Sequence, residues 1–417
     1  MTPTVGFVGM THLGLLSAVA AAAKGCRTVA ADPDANRIAA LEAGRLPVVE
    51  PGLSEQIEEH RARLTFTTDG KALAACDVVY VAPDVPVQAD GRSDTGPVDR
   101  LLLWARETVR PDAVLVVLSQ VPPGFTRRRL RPGAALYYQV ETLIFGHAVE
   151  RAMQPERYIV GCADPAQPLP KVYADFLAID GCPVLPMRYE SAELAKISIN
   201  LCLVAQLSVT NTIAELCEGV GADWREIAPA LRLDRRIGPH AYLGAGLGVG
   251  GGNLLRDVAT ARRLAGECGS DATVLAAYEA NSRHRGDWAL ATLHRVLAGV
   301  AQPKVAILGL AYKVDTAETL NSPGVALAKA FNGSDLRVHD PVVDPKPYGS
   351  GAAMPLDACA GCDAVAIMTP WAAYRALDPA ALARTMRGRI VLDPWDALDA
   401  AKCGAAGLVR HVLGVSS

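Results

Sequence analysis

A chain of 417 residues exceeds one ordinary hydrophobic core, so two or three domains are expected. Half of its residues are hydrophobic and a fifth charged, which excludes a disordered chain; a net charge of −3 excludes the broad basic face that nucleic acid requires. The opening Met-Thr-Pro-Thr-Val has no basic segment, and the alanine-rich run 13–23 is short and interrupted by Gly14 and Ser17, so a cytoplasmic protein with no membrane partner is expected.

Residues 5–8 read as a buried strand, the run to Ala23 as a helix, and 27–31 as a second strand that ends at Asp32. Further strands are expected at 78–82 and 113–118. Continuous β-branched runs between helical patterns indicate a parallel sheet covered on both faces. Residues 190–218 lack proline and glycine and carry apolar residues at helical spacing, which predicts one long helix or two nearly collinear ones. Helix is expected again over 257–284, with a break near 266–269. The last segment returns to strands, at 304–309, 336–340, 364–368 and 389–393. Loops are expected at 244–252 and 332–334, which are glycine-rich or polar. The fold class is therefore α/β: two Rossmann-like, doubly wound domains joined by a central helical region. The expected divisions are 1–185, 186–285 and 286–417.

Ten cysteines are scattered along the chain, and only Cys359 and Cys362 form a CxxC pair. No second pair stands at zinc spacing, so a helix end with two small buried residues is expected, and no metal.

Gly9-Met10-Thr11-His12-Leu13-Gly14 follows the first strand and opens the first helix, a GxGxxG frame with Thr11 at the second glycine. Asp32 closes the second strand where a carboxylate holds the ribose hydroxyls of a dinucleotide. The helix start offers free N–H groups to a pyrophosphate, and Asp32 repels a 2′-phosphate, so NAD is expected rather than NADP. Thr11 puts a Cβ where the backbone approaches the pyrophosphate; it either shifts the cofactor or adds a hydroxyl contact. His12 reads as a solvated loop residue.

Several ordered motifs resemble the UDP-glucose/GDP-mannose dehydrogenase family almost from end to end. They include Asp32 with Arg37, Glu50-Pro51-Gly52-Leu53, Ser119-Gln120-Val121-Pro122-Pro123-Gly124, Glu193-Leu194-Ala195-Lys196 with Asn200, Asp234-Arg235-Arg236-Ile237-Gly238, Gly309-Leu310-Ala311-Tyr312-Lys313 and His339-Asp340-Pro341. The resemblance implies oxidation of a nucleotide-linked sugar at a hydroxyl, with NAD held by Gly9, Thr11, Gly14, Asp32, Arg37, Pro83, Val85, Ser119 and Gln120. It implies proton handling by Lys196, Asn200, Asp257 and Glu141, and substrate contacts from Arg236, Tyr242, Leu243, Gly250 and Lys313. It also implies a homodimer built on the helical middle.

The family completes a second oxidation through a thioester on a cysteine within Gly-Phe-Gly-Gly-Ser-Cys-Phe-Pro-Lys-Asp. The corresponding stretch here is Gly248-Val249-Gly250-Gly251-Gly252-Asn253-Leu254-Leu255-Arg256-Asp257, with Asn253 at the nucleophile's place. A carboxamide forms no thioester. Leu320 stands where the family has an arginine, and Ala82-Pro83-Asp84-Val85-Pro86 replaces its Val-Gly-Thr-Pro segment. The expected reaction is one two-electron oxidation, with Asn253 hydrogen-bonding the carbonyl formed. The alternatives are four-electron oxidation through an aldehyde hydrate, redox-neutral epimerisation, and a non-catalytic sugar-nucleotide binder.

Overall fold

The computed structural model describes residues 2–48, 50–86, 93–144, 146–331 and 335–416. The loop expected at 332–334 lies outside the described residues.

The chain forms two compact units, Met1–Ile199 and Asn200–Ser417. The first is built on an eight-stranded sheet: β1 Thr4–Val8, β2 Arg27–Ala31, β3 Leu64–Thr67, β4 Val78–Val81, β5 Val114–Val117, β6 Leu136–Gln139, β7 Tyr158–Cys162 and β8 Val184–Arg188. The strand order is β3-β2-β1-β4-β5-β6-β7-β8, and only the β6–β7 pairing is antiparallel. Its first six strands have the doubly wound dinucleotide-binding order, with a switch point between β1 and β4. β4 and β5 are buried at every position, as a parallel sheet covered on both sides requires. One face packs Leu15, Leu16, Tyr80 and Tyr173; the other packs Val8, Val79, Leu102 and Phe125.

The second unit carries a six-stranded sheet: β9 Lys304–Leu308, β10 Asp335–His339, β11 Ser350–Gly351, β12 Ala364–Ile367, β13 Ile390–Leu392 and β14 Val409–His411. Its order is β11-β10-β9-β12-β13-β14, all parallel, which repeats the order of β1 to β6. Cys359 and Cys362 sit at the end of the short helix Pro355–Ala358, fully buried in one of its cores.

The residues expected to be helical from 190 to 218 form one helix, Tyr189–Val220, long and apolar enough by length and composition to cross a membrane. The next helical stretch starts earlier than expected, at Asn253, and runs to Cys268. Gly266 lies within it, and Gly269, in a left-handed conformation, ends it. A further helix spans Thr273–Gly286. Local capping explains several starts: Asp34 accepts from the N–H groups of Asn36 and Arg37, and Ser322 caps the helix Pro323–Ala330, whose first residue is proline.

Candidate active site

Gly9 follows β1 with φ +95°, and a Cβ there would lie 2.8 Å from the Pro83 nitrogen. A Cβ on Gly14 would lie 1.9 Å from the Gly9 carbonyl oxygen. Both glycines are therefore demanded by the close approach of the first helix, His12–Ala23, to the ends of β1 and β4. The Met10 N–H donates to Asp32 Oδ2 at 2.7 Å, and Arg37 pairs with the same oxygen at 2.7 Å. Asp32 is 2% exposed, so its carboxylate is fixed at the end of β2. Ser119 is buried and its hydroxyl donates to the Pro83 carbonyl. Val85 packs partly against the adjoining core, and Gln120 is half-buried. A turn cradle too tight for a Cβ, a helix N-terminus and a buried acid fit a dinucleotide.

Thr11 and His12 are more engaged than their sequence suggests. The Thr11 hydroxyl oxygen accepts from the Asp84 N–H at 2.7 Å, and the His12 N–H donates to Asp84 Oδ2 at 2.8 Å. The His12 ring lies 3.1 Å from Glu50 Oε1. His12 is thus not a solvated loop residue: it begins the helix, and Glu50, buried and accepting from the Gly146 N–H, draws its ring inward.

In the same unit the Lys196 ammonium lies 2.7 Å from Glu141 Oε1, with both side chains largely buried. Glu141 also accepts from the Leu143 N–H at 2.8 Å. An ion pair withdrawn from water holds both groups in one geometry. One turn earlier on the helix, Glu193 is fully buried and accepts from the N–H groups of Gly124 at 2.5 Å and Thr126 at 2.8 Å. Burial pushes its carboxyl above the ordinary range. Glu193 clamps the Ser119–Gly124 loop to the helix that carries Lys196, a positioning role that the sequence motif alone did not disclose. Its only sequence clue was membership of the Glu193-Leu194-Ala195-Lys196 run.

In the second unit the Asn200 amide donates to Asp257 Oδ2 at 2.5 Å, and Arg256 Nε lies 3.2 Å from Asp257 Oδ1. Asp257 is 1% exposed. Asn253 is exposed at the first position of its helix, one turn before Asp257 and on the same face. The loop before it is held closely. A Cβ on Gly250 or Gly251 would lie 3.0 Å from the Tyr312 ring, and one on Gly252 would lie 2.9 Å from the Leu320 side chain. The Gly251 N–H donates to the Leu320 carbonyl, and the Asn321 amide to the Gly251 carbonyl at 2.8 Å. Lys313 Nζ stands 5.7 Å from the Tyr312 ring centre.

The expected substrate residues divide. Gly250 and Lys313 meet at one loop junction, on either side of Tyr312. Tyr242 is partly exposed, its N–H donating to Gln206 and its carbonyl accepting from Thr210. Leu243 does not present an exposed face: its side chain is buried with Trp224 and Ala228, and its carbonyl accepts from the Trp224 indole at 2.9 Å. Arg236 is highly exposed and doubly hydrogen-bonded to Asp234.

A doubly wound sheet with this turn and acid, followed by a second sheet of the same order, defines a dinucleotide-binding protein with two Rossmann-like sheets. The chain belongs to the UDP-glucose/GDP-mannose dehydrogenase family: the family's NAD binding domain matches residues 3–177, its central domain 190–283 and its UDP binding domain 306–400. Its cofactor is NAD and its substrate a nucleotide sugar. It is 30% identical to the UDP-glucose 6-dehydrogenase of Pseudomonas aeruginosa, over 98% of this chain and 96% of that one. It is also 30% identical to that of Rhizobium meliloti, over 93% and 94%. Among solved structures, a UDP-glucose dehydrogenase from Pyrobaculum islandicum superposes with a TM-score of 0.83 at 28% identity, covering 94% of each chain. A UDP-D-ManNAc dehydrogenase from Pyrococcus horikoshii shares the fold, with a TM-score of 0.85 at 20% identity and 99% coverage of each chain.

Proposed function

We propose that this protein oxidises one hydroxyl of a UDP-linked hexose to a carbonyl and stops there. The observation that carries this reading is the arrangement at residues 253–257. A buried Asp257, hydrogen-bonded to Asn200, stands one turn from a carboxamide at position 253, where the family pattern has its thiol. NAD, when bound, accepts the hydride. Glu141 holds the Lys196 ammonium at one orientation, and an ammonium so placed polarises an alcohol oxygen directly or through water. Asp257 offers the carboxylate for the departing proton, and Asn200 fixes its orientation. The Asn253 amide donates to the carbonyl formed and adds nothing covalently.

Within the second unit no described thiol substitutes for it. Cys268 is at the far end of the same helix, about 22 Å away at the α-helical rise. Cys202 follows Asn200 by two residues on the helix Tyr189–Val220 and so lies on the face opposite to it, and Cys217, Cys359, Cys362 and Cys403 are buried in hydrophobic cores.

Incubation with UDP-glucose and NAD should yield one NADH per sugar and an aldehyde trapped by hydroxylamine. Two NADH and a uronate would overturn the single-step reading. Lys196→Met should lower kcat by about 100-fold or more while NADH still binds.

The same proposal includes a homodimer. Cys202, Val209 and Leu216 are exposed at seven-residue spacing on the helix Tyr189–Val220, an apolar stripe suited to a second copy. Val209→Asp with Leu216→Asp should convert a dimer to a monomer in light scattering; an unchanged mass would refute this face.

A further inference from the structure

Two residues far apart in sequence, each a departure from the family pattern, touch in this structure. Thr11 stands at the second glycine of the turn, and Asp84 lies in the altered segment after β4. Thr11 accepts the Asp84 N–H, while the Asp84 carboxylate accepts the His12 N–H. This is the reciprocal arrangement of a capping box, closed between two loops instead of within one turn. Thr11 is the N-cap of the first helix, yet its side chain makes no capping bond to that helix. Asp84 supplies the cap in its place. The segment is pinned here, because Pro83 lies against Gly9 and its carbonyl accepts the Ser119 hydroxyl. Asp84 itself is exposed and faces the mouth of the turn, at the switch point between β1 and β4. A glycine at position 11 has no hydroxyl with which to hold it.

We propose that Asp84 is an internal anion that competes with the diphosphate of NAD for the N-terminus of the first helix, and that Thr11 holds it in place. Both anions seek the N–H groups and the partial positive charge of the same helix N-terminus. Two of them within a few ångströms repel, so the dinucleotide must turn the carboxylate away before its diphosphate can settle. Asp84 is therefore a determinant of cofactor affinity in this chain. The inference rests on placement of NAD at the Gly9–Gly14 turn.

The test is equilibrium binding of NADH to the full-length protein without sugar substrate, followed by fluorescence. Asp84→Asn removes the charge and keeps an acceptor for the His12 N–H; it should tighten NADH binding about tenfold. Thr11→Val frees Asp84 without removing its charge and should tighten binding less. Binding of adenosine, which has no diphosphate, should be the same in all three proteins. The melting temperature without ligand should fall slightly in Asp84→Asn, the opposite direction to affinity, a pairing that a purely structural cap would not produce. Unchanged or weaker NADH binding in both variants overturns the proposal alone. Absence of NADH binding in wild type and both variants overturns it together with the placement of NAD at this turn.

Discussion

After β1 the chain enters a helix almost at once, at His12; after β9 it runs from Leu310 to Asn321 before Ser322 and Pro323 start one. The two turns otherwise share their sterics. Gly309 has φ +107° as Gly9 has φ +95°, and a Cβ on Gly324 would lie 2.1 Å from the Gly309 carbonyl oxygen, close to the 1.9 Å for one on Gly14 from Gly9. Each turn is closed by an aspartate after its second strand. Asp32 takes the Met10 N–H and Arg37; Asp340 takes the N–H groups of Leu310, Ala311, Val342 and Val343. The glycine pairs thus answer a packing need common to both sheets. The difference lies in what stands at the mouth. In the first turn it is a helix N-terminus contested by Asp84; in the second it is a loop whose Tyr312 ring lies against Gly250 and Gly251. The first mouth offers backbone N–H groups of a helix start, the second side chains.

If the glycine pairs are equivalent, Gly14→Ala and Gly324→Ala should each cost about 3 kcal/mol or more in urea unfolding, since the added carbon meets backbone that cannot yield. A small loss at one position alone would break the equivalence. The aspartates should separate by readout. Asp340→Asn should lose about 2 kcal/mol of stability, because an amide N–H₂ group would face N–H donors, while NADH affinity is unchanged. Asp32→Asn should weaken NADH binding about tenfold, as loss of a ribose partner does.

Smaller still is a difference in pH dependence. Burial raises the Glu193 carboxyl above its ordinary value of 4.5, so the folded chain binds its proton more tightly than the unfolded chain. Stability from this group is therefore greatest below 4.5 and is lost as pH rises through the raised value. Glu193→Gln should flatten that part of the stability–pH curve; an unaltered curve would show that Glu193 is solvated. Asp363 supplies the contrast in the second unit. Its pairing with the Arg387 guanidinium holds its carboxyl below the usual range, and its contribution is lost on acidification. The least effect belongs to Arg236→Ala. The exposed pair with Asp234 should leave the melting temperature unmoved, so any fall in kcat/KM would report contact with substrate.

Strands and long helices were legible because their periodicity is local: the apolar runs at β1, β4 and β9, and the proline-free run that became Tyr189–Val220. The four-residue spacing of Lys196 and Asn200 placed both on one helix face for the same reason. Partners across loops were not legible. Nothing near Glu141 in sequence points to Lys196, and nothing near Glu193 points to the Gly124 and Thr126 N–H groups. Thr11 and Asp84 each showed as an isolated departure, since hydrogen bonds between distant loops leave no spacing to read. Leu243 is ambiguous in the sequence because an aliphatic side chain beside a tyrosine looks the same facing a sugar or facing Trp224, with which it packs. Arg236 looked available for an anion, but Asp234, two residues away, already engages it in this structure.

The sheltered cysteines give the molecule a built-in gauge of its own integrity. Burial pushes the Cys359 thiol up to about 12 and that of Cys362 to about 11, so neither forms a thiolate near neutrality while the fold is intact. An alkylating reagent should mark the exposed Cys268 first and reach the CxxC pair only when the second sheet opens, which makes the order of labelling a clock for local unfolding.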